Sequence, residues 1–182
     1  MELCSARVVM RLGRPGDVPA IVRFYEDNRS HFAQWEPVRN PDFYTEEHWI
    51  ERLDRQLCDF DNGMAYPTFL FARDRPDRVI GSVNFSNFIR GVKQSCTLGH
   101  SIAEEEEGKG LMREILPVAF DYVFGDLALH RIEANYLPHN VRSGKLLRHL
   151  GFVVEGYARD YLKIAGIWQD HVLTSLINPS DA

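Results

Sequence analysis

The stretch EEEEGKGLMREILPVAFDYVF, residues 104–124, sets four carboxylates and a glycine-rich turn directly before a helical pattern. Its apolar residues recur at the spacing of one buried helix face, formed by Met112, Ile115, Leu116, Ala119, Phe120 and Val123. Pro117 lacks the N–H that would bond the carbonyl of Arg113, so the sequence predicts a kink within this helix.

The glycine-rich turn predicts an anion site, because a helix N-terminus gathers unpaired backbone N–H groups and the positive end of the helix dipole. Gly108 and Gly110 let the backbone approach a phosphate closely. An ordinary tight turn is the alternative interpretation. The four glutamates fit a solvated face, but they also repel an anion. GKGLMRE lacks residues that the nucleotide loops GxxxxGK[ST] and GxGxxG require, which excludes both loops.

Outward from this segment the chain predicts the element order β-α-α-β-β-β-α-β-α-β-β. Strands are expected at residues 7–12, 68–73, 78–88, 96–102, 129–137, 152–162 and 169–177. The first two helices are expected to begin after Asp17 and Thr45, which are typical N-cap residues. Asn140 is expected to cap the last helix and Gly151 to end it.

Length and composition indicate one domain, residues 1–182. The formal net charge of −5 argues against DNA as a partner and favours a cationic one. No signal peptide or membrane span is evident, so we expect a cytoplasmic protein without a membrane partner. Cys4, Cys58 and Cys96 lack the spacing of a disulfide framework or a zinc site, and no metal is expected.

Five segments carry a resemblance to a known family: WEPVR, NFSN, GKGLM, HRIEANYLPHNVRSGKLL and EGYARDYLKIAGIWQDHVLT. With the element order they resemble the GNAT superfamily of N-acetyltransferases, in its RimJ/RimL branch and nearest its RimJ-type alanine N-acetyltransferases. The likeness runs over residues 28–174. It implies a single α/β (α+β) GNAT-like domain with a mixed, strongly bent sheet of about seven strands and about four flanking helices. A cleft is expected where the fourth and fifth strands splay apart.

The resemblance also implies acetyl-CoA as cosubstrate and a set of residues that bind it. The backbone of residues 107–112 is expected to hold the pyrophosphate, with Lys109 as a nearby positive charge. The full set is Ile102, Glu107, Gly108, Lys109, Gly110, Leu111, Met112, Asn140 and Ser143. Glu107 and Met112 depart from the superfamily signature Q/R-x-x-G-x-G/A. The loop is still expected to bind CoA because its holding groups are backbone, and the sequence leaves open whether the acid weakens that binding.

Two catalytic roles follow from the resemblance. Ser143 is expected to protonate the departing thiolate, although Asn and Ser at a helix start also serve as ordinary caps. Glu133, on the fifth strand, is the first candidate for general base, with an exposed strand carboxylate as the alternative interpretation. His100 and Asp160 are further candidates, and the sequence leaves the base open.

The expected acceptor is the N-terminal α-amine of a protein, and the resemblance implies an alanine-starting small-subunit ribosomal protein. About 10% of an α-amine but only about 0.04% of a lysine amine is neutral at pH 7, so an N-terminal acceptor needs a weaker base. The aromatic residues Phe32 and Trp35 of HFAQWEPVR, residues 31–39, are expected with Tyr157, Tyr161 and Trp168 either in the core or along an acceptor groove. The rivals are a small amine or antibiotic as acceptor, and a ribosome-associated assembly factor with secondary catalysis.

Overall fold

The computed structural model describes residues 1–181 and contains one mixed sheet of eight strands in the order β1-β2-β3-β4-β5-β6-β8-β7. The strands are β1 Glu2–Cys4, β2 Val8–Arg11, β3 Tyr66–Ala72, β4 Arg75–Ile89, β5 Ser95–Ile102, β6 Arg131–Tyr136, β7 Val153–Ile164 and β8 Ile167–Ile177. All neighbouring strands are antiparallel except β5 and β6, which run parallel. The crossover between this parallel pair contains the glycine-rich turn.

The α-helices of residues 1–181 are α1 Val18–Asp27, α2 Arg29–Phe32, α3 Glu46–Asp61, α4 Leu111–Gly125 and α5 Val141–His149. Thr45 caps α3 by accepting a hydrogen bond from the N–H of His48, and Asn140 caps α5 in the same way from Ser143. The sequence missed two short elements, β1 and α2. The predicted GNAT-like architecture is confirmed, with eight strands in place of seven.

The expected splay lies between β5 and β6. Ser95–Thr97 of β5 pairs with Arg131–Glu133 of β6, and the pairing stops there. Beyond that point β6 continues beside β8 as far as Tyr136, whereas β5 continues beside β4 as far as Ile102. Each strand therefore follows its other neighbour, and a wedge opens between them. This wedge leads into the cavity described below.

The core lies on both faces of the sheet because the side chains of β3 alternate between them. Tyr66 and Leu70 pack in the same cluster as α4, whereas Phe69 and Phe71 pack against α1 and α3. Aromatic rings dominate this second cluster, where Tyr25 stacks on Trp49 at a centroid distance of 5.0 Å. The face of α4 predicted from the sequence is buried throughout. A rigid core on that face fixes where α4 begins.

Pro117 lies inside α4, which extends from Leu111 to Gly125 as one continuous helix. Arg113 and Pro117 both lie on the exposed face of the helix. Water can therefore donate to the carbonyl of Arg113 in place of the N–H that Pro117 lacks. The kink at this position stays a prediction.

Truncation of the buried face of α4 is expected to destabilise the fold strongly. Ile115 is 0% exposed, and Ile115→Ala removes its side chain from a packed core, at an expected cost of about 3 kcal/mol in the free energy of unfolding. Asp121→Ala, on the exposed face of the same helix, is the matched control and should change stability by less than about 0.5 kcal/mol. Urea unfolding of both variants measures the difference. Equal stabilities would contradict the assigned face.

Candidate active site

The glycine-rich turn presents a row of unpaired backbone donors. Gly108 and Gly110 adopt φ values of +73° and +79°, a left-handed conformation that a side chain disfavours. The N–H of Glu107 donates to the carbonyl of Glu104, and the N–H of Glu114 donates to the carbonyl of Gly110. None of the N–H groups of residues 108–113, which lie between Glu107 and Glu114, has an acceptor within residues 1–181. Six donors thus surround the start of α4, as a phosphate site requires.

A cavity of about 910 Å³ opens beside this turn, between the end of β5, the start of α4 and the start of α5. It is large enough for an extended cosubstrate. The structure brings into its lining eight of the nine residues expected to bind acetyl-CoA: Ile102, Glu107, Gly108, Gly110, Leu111, Met112, Asn140 and Ser143. Lys109 is not among the lining residues.

Lys109 is occupied by an ion pair with the carboxylate of Glu106. Its Nζ lies 2.8 Å from Oε2 of Glu106, and Arg75 holds the other oxygen of that carboxylate at 3.1 Å. Burial alone would raise the pKa of Glu106, but the hydrogen bonds from Lys109 and Arg75 outweigh it and lower that pKa. Lys109 therefore anchors the turn to β4, and the expected role as a phosphate ligand receives no support from its position.

Glu107, the residue that departs from the superfamily signature, is bound on both sides by basic groups. Its carboxylate lies 3.2 Å from Nε2 of His31 and forms an ion pair with Arg142, and all three residues line the cavity. The side chain of Glu107 is 18% exposed, so its charge faces the cavity with little water around it. His31 and Arg142 were not among the sequence candidates. Both are distant from Glu107 in the chain, since His31 comes from α2 and Arg142 from α5, so only the folded structure shows these ion pairs.

Removal of the charge on Glu107 is expected to tighten CoA binding. Glu107→Gln removes a carboxylate that repels the phosphates and releases Arg142 to face them, so the dissociation constant should fall about fivefold, or ~1 kcal/mol. Glu105→Gln is the matched control, because Glu105 lies two residues before Glu107, pairs with Arg78 of β4 and does not line the cavity. Calorimetry with CoA measures both. Binding that weakens in Glu107→Gln would show that the ion pair supports the site.

The start of α5 forms the opposite wall of the cavity. Oδ1 of Asn140 accepts the Ser143 N–H at 3.0 Å, which is the expected capping bond. The Ser143 hydroxyl has no hydrogen-bond partner within residues 1–181, so it is available to a ligand in the cavity. Gly144 lets α5 sit against β6, because a Cβ at this position would lie 2.8 Å from the ring of Tyr136. The glycine thereby fixes the distance between Ser143 and the splayed strands.

The three candidate bases are placed very differently. Glu133 lies on the paired part of β6, where Arg131 and Lys93 bind its carboxylate, and it does not line the cavity. Burial would raise its pKa, but these hydrogen bonds outweigh burial and lower it, which makes the carboxylate a weaker base. Asp160 also lies outside the cavity lining. His100 does line the cavity, and burial lowers its pKa to about 4.

An aromatic pair lies at the edge of the cavity, where the rings of Trp35 and His139 are 5.5 Å apart and both line it. Tyr157, Tyr161 and Trp168 are exposed on the β7–β8 hairpin and do not line the cavity. Of the aromatic residues considered from the sequence, the structure therefore brings Phe32 and Trp35 to the site.

No group of three or more His, Cys, Asp or Glu side chains within residues 1–181 is arranged to hold a metal ion. None of the helices in this part of the chain has the length and apolar character needed to span a membrane.

Comparison with known proteins agrees with this geometry. Residues 7–153 match the family model described as an acetyltransferase (GNAT) domain. The [ribosomal protein uS5]-alanine N-acetyltransferase of Escherichia coli K12 is 44% identical over 179 residues, which cover 98% of this chain and 92% of the relative. The match therefore includes the turn, α5 and the β7–β8 hairpin alike.

Two solved structures share the whole fold. The ribosomal-protein-S5-alanine acetyltransferase of Vibrio fischeri superposes with a TM-score of 0.93 at 37% identity, covering 98% of this chain and 97% of that one. RimJ of Mycobacterium smegmatis, solved in complex with CoA-disulfide, gives 0.91 at 26% identity, with coverage of 99% and 88%. From the family match, the shared fold and the donor-lined cavity, we conclude that this chain belongs to the GNAT acetyltransferase family and is an N-acetyltransferase.

Proposed function

We propose that this protein transfers acetyl from acetyl-CoA to the N-terminal α-amine of a protein that begins with alanine, a small-subunit ribosomal protein. The observation that carries the proposal is the cavity at the splayed strands, whose wall includes Gly108 and residues 110–113, all with unpaired backbone N–H groups. The named activity of the Escherichia coli relative supports the choice of acceptor. A ribosomal substrate also places the reaction in the cytoplasm.

The turn binds the cosubstrate in this proposal. Backbone N–H groups at a helix N-terminus donate to phosphate oxygens without a side-chain charge, so the pyrophosphate of CoA fits the first turn of α4. Left-handed glycines at positions 108 and 110 leave the donors uncovered. The wedge between β5 and β6 provides unpaired strand edges beside which the pantetheine arm can lie.

The transfer itself needs a neutral amine, a hydrogen-bond acceptor for it, and a proton for sulfur. The amine nitrogen attacks the thioester carbonyl, the carbon–sulfur bond breaks, and the thiolate takes a proton from the Ser143 hydroxyl. The proton that the nitrogen loses on becoming an amide passes through water and restores that hydroxyl. His100 is neutral at pH 7 and can accept a hydrogen bond from the attacking amine. Because its pKa is low, most of the rate enhancement is expected from positioning of the amine.

The acceptor is expected to enter beside Trp35 and Glu36, which line the cavity on the side of α2. The formal net charge of −5 favours encounter with the basic proteins of the ribosome. Association with the ribosome is therefore part of the proposal, and binding to DNA or to a membrane is not expected.

The experiment uses one peptide that begins with a free alanine and carries an internal lysine, incubated with the protein and acetyl-CoA. Fragment-ion mass spectrometry should place the acetyl group on the alanine nitrogen and leave the lysine free. The matched control is the same peptide with its N-terminus already blocked, which should remain unmodified. Acetylation of an added polyamine or aminoglycoside in place of the peptide would favour the small-amine rival. Ribosome binding without acetylation of any amine would favour an assembly factor.

A further inference from the structure

A second set of basic side chains lines the cavity beyond the glycine-rich turn. Arg113 comes from the first turn of α4, while Lys145 and His149 come from α5. Lys145 and His149 are four residues apart, so they lie on one face of α5 and point the same way. The three residues, named here the basic rim, thus converge on one end of the cavity from two helices.

The basic rim lacks acidic partners. Within residues 1–181 no carboxylate lies within 4.0 Å of the Arg113 or Lys145 cationic nitrogens, although ion pairs occupy Arg142, Lys109 and many other basic residues. Arg113 instead contacts the imidazole of His149. Two basic groups in contact repel each other when both are charged, and a bound anion relieves that repulsion. In a chain with net charge −5, uncompensated cations that face a cavity indicate a site for an anion.

The turn and the basic rim suit different phosphates. The pyrophosphate fits the backbone donors of residues 108–113, which need no side-chain cation. The basic rim offers a guanidinium, an ammonium and an imidazole, which are the groups that bind a phosphate monoester dianion. CoA carries one such group, on the 3′ position of its ribose, in addition to its pyrophosphate. Arg113 is the residue that joins the two sites, because it belongs to the same first turn of α4.

We propose that Arg113, Lys145 and His149 bind the 3′-phosphate of CoA, so that the protein selects acetyl-CoA over its dephosphorylated form. The inference rests on the proposed use of acetyl-CoA and adds the residues that recognise its third phosphate. It assigns no chemical step to the basic rim. Its effect is on binding and on discrimination between the two forms of the cosubstrate.

Calorimetry with CoA and with dephospho-CoA tests the proposal. The wild-type protein should bind CoA at least about 10-fold more tightly, as expected for charge-assisted contacts at a partly exposed site. In the double variant Arg113→Gln, Lys145→Gln this preference should fall to about twofold or less, with the affinity for dephospho-CoA unchanged. The preference of the wild-type protein should also shrink in high salt.

Arg148→Gln is the matched control, because Arg148 lies on α5 but does not line this cavity, and it should keep the full preference. Equal affinities of the wild-type protein for the two ligands would overturn the assignment, as would a double variant that loses both ligands to the same degree. Binding of neither ligand by the wild-type protein would overturn the proposed use of acetyl-CoA and this inference with it. Thermal melting of the double variant checks that it remains folded.

Discussion

Replacement of Gly110 by valine is expected to raise the dissociation constant for acetyl-CoA at least about 100-fold. Gly110 has φ +79°, a conformation in which a β-branched residue is strongly strained, so the turn must relax toward negative φ. That relaxation redirects the N–H groups at the start of α4 away from the phosphate position. Loss of two charge-assisted hydrogen bonds at about 1.5 kcal/mol each accounts for the expected change. Calorimetry measures it directly.

Gly63→Val separates this effect from general instability. Gly63 also has a left-handed φ, +64°, and a Cβ there meets nothing within 4 Å, but it lies outside the cavity lining. Both variants should lose stability by a similar amount, about 1–3 kcal/mol. Only Gly110→Val should lose acetyl-CoA. If Gly110→Val is folded and binds with unchanged affinity, the turn does not hold the pyrophosphate.

Replacement of Ser143 by alanine is expected to lower kcat about 100-fold without changing the affinity for acetyl-CoA. The proposed role of its hydroxyl is to give a proton to sulfur, and general acid catalysis contributes at least this much. In the variant the backbone N–H of residue 143 still donates to Oδ1 of Asn140, so α5 should remain in place. A loss confined to kcat identifies an interaction made in the transition state.

Ser101→Ala is the matched control for Ser143→Ala. Ser101 also lines the cavity, but its hydroxyl is 2.9 Å from that of Ser82 and is engaged there. This variant should retain kcat within about threefold. Comparable loss in both variants would mean that the hydroxyl of Ser143 has no special role, and a full kcat in Ser143→Ala would exclude it as the acid.

The parts of this site that the sequence predicted are those that depend on neighbouring residues in the chain. The face of α4, the cap at Asn140 and the glycine-rich turn each follow from residues within a few positions of one another. The splay of the two central strands is not local, and it was reached through the family resemblance. Local sequence patterns therefore predicted the glycine-rich turn, and the family resemblance supplied the cleft beside it.

The predictions for Lys109 and Glu133 concern partners that are distant in the fold. Lys109 is in the turn, but its ammonium is paired with Glu106, which Arg75 from β4 also binds. Glu133 is on the expected strand, yet Lys93, forty residues earlier, reaches its carboxylate. Ion pairs of this kind are fixed by tertiary structure, and no spacing in the sequence indicates them.

The two elements that the sequence missed are short and depend on their neighbours. β1 has three residues and is paired only with β2, and α2 has four residues directly after the end of α1. Segments of three or four residues are too short to show a periodic pattern of apolar residues. The omission of α2 mattered for function, because α2 carries His31 to Glu107 at the cavity.

The central claim is that the donor-lined cavity delivers acetyl to a protein N-terminus. The most direct test is mass spectrometry of small-subunit ribosomal protein uS5 with a free N-terminal alanine, incubated with acetyl-CoA and either the wild-type protein or Gly110→Val. We predict a single acetyl group on the alanine nitrogen with the wild-type protein and none with the variant. Wild-type protein that binds acetyl-CoA but leaves this nitrogen unmodified, or modifies lysines instead, would contradict the account.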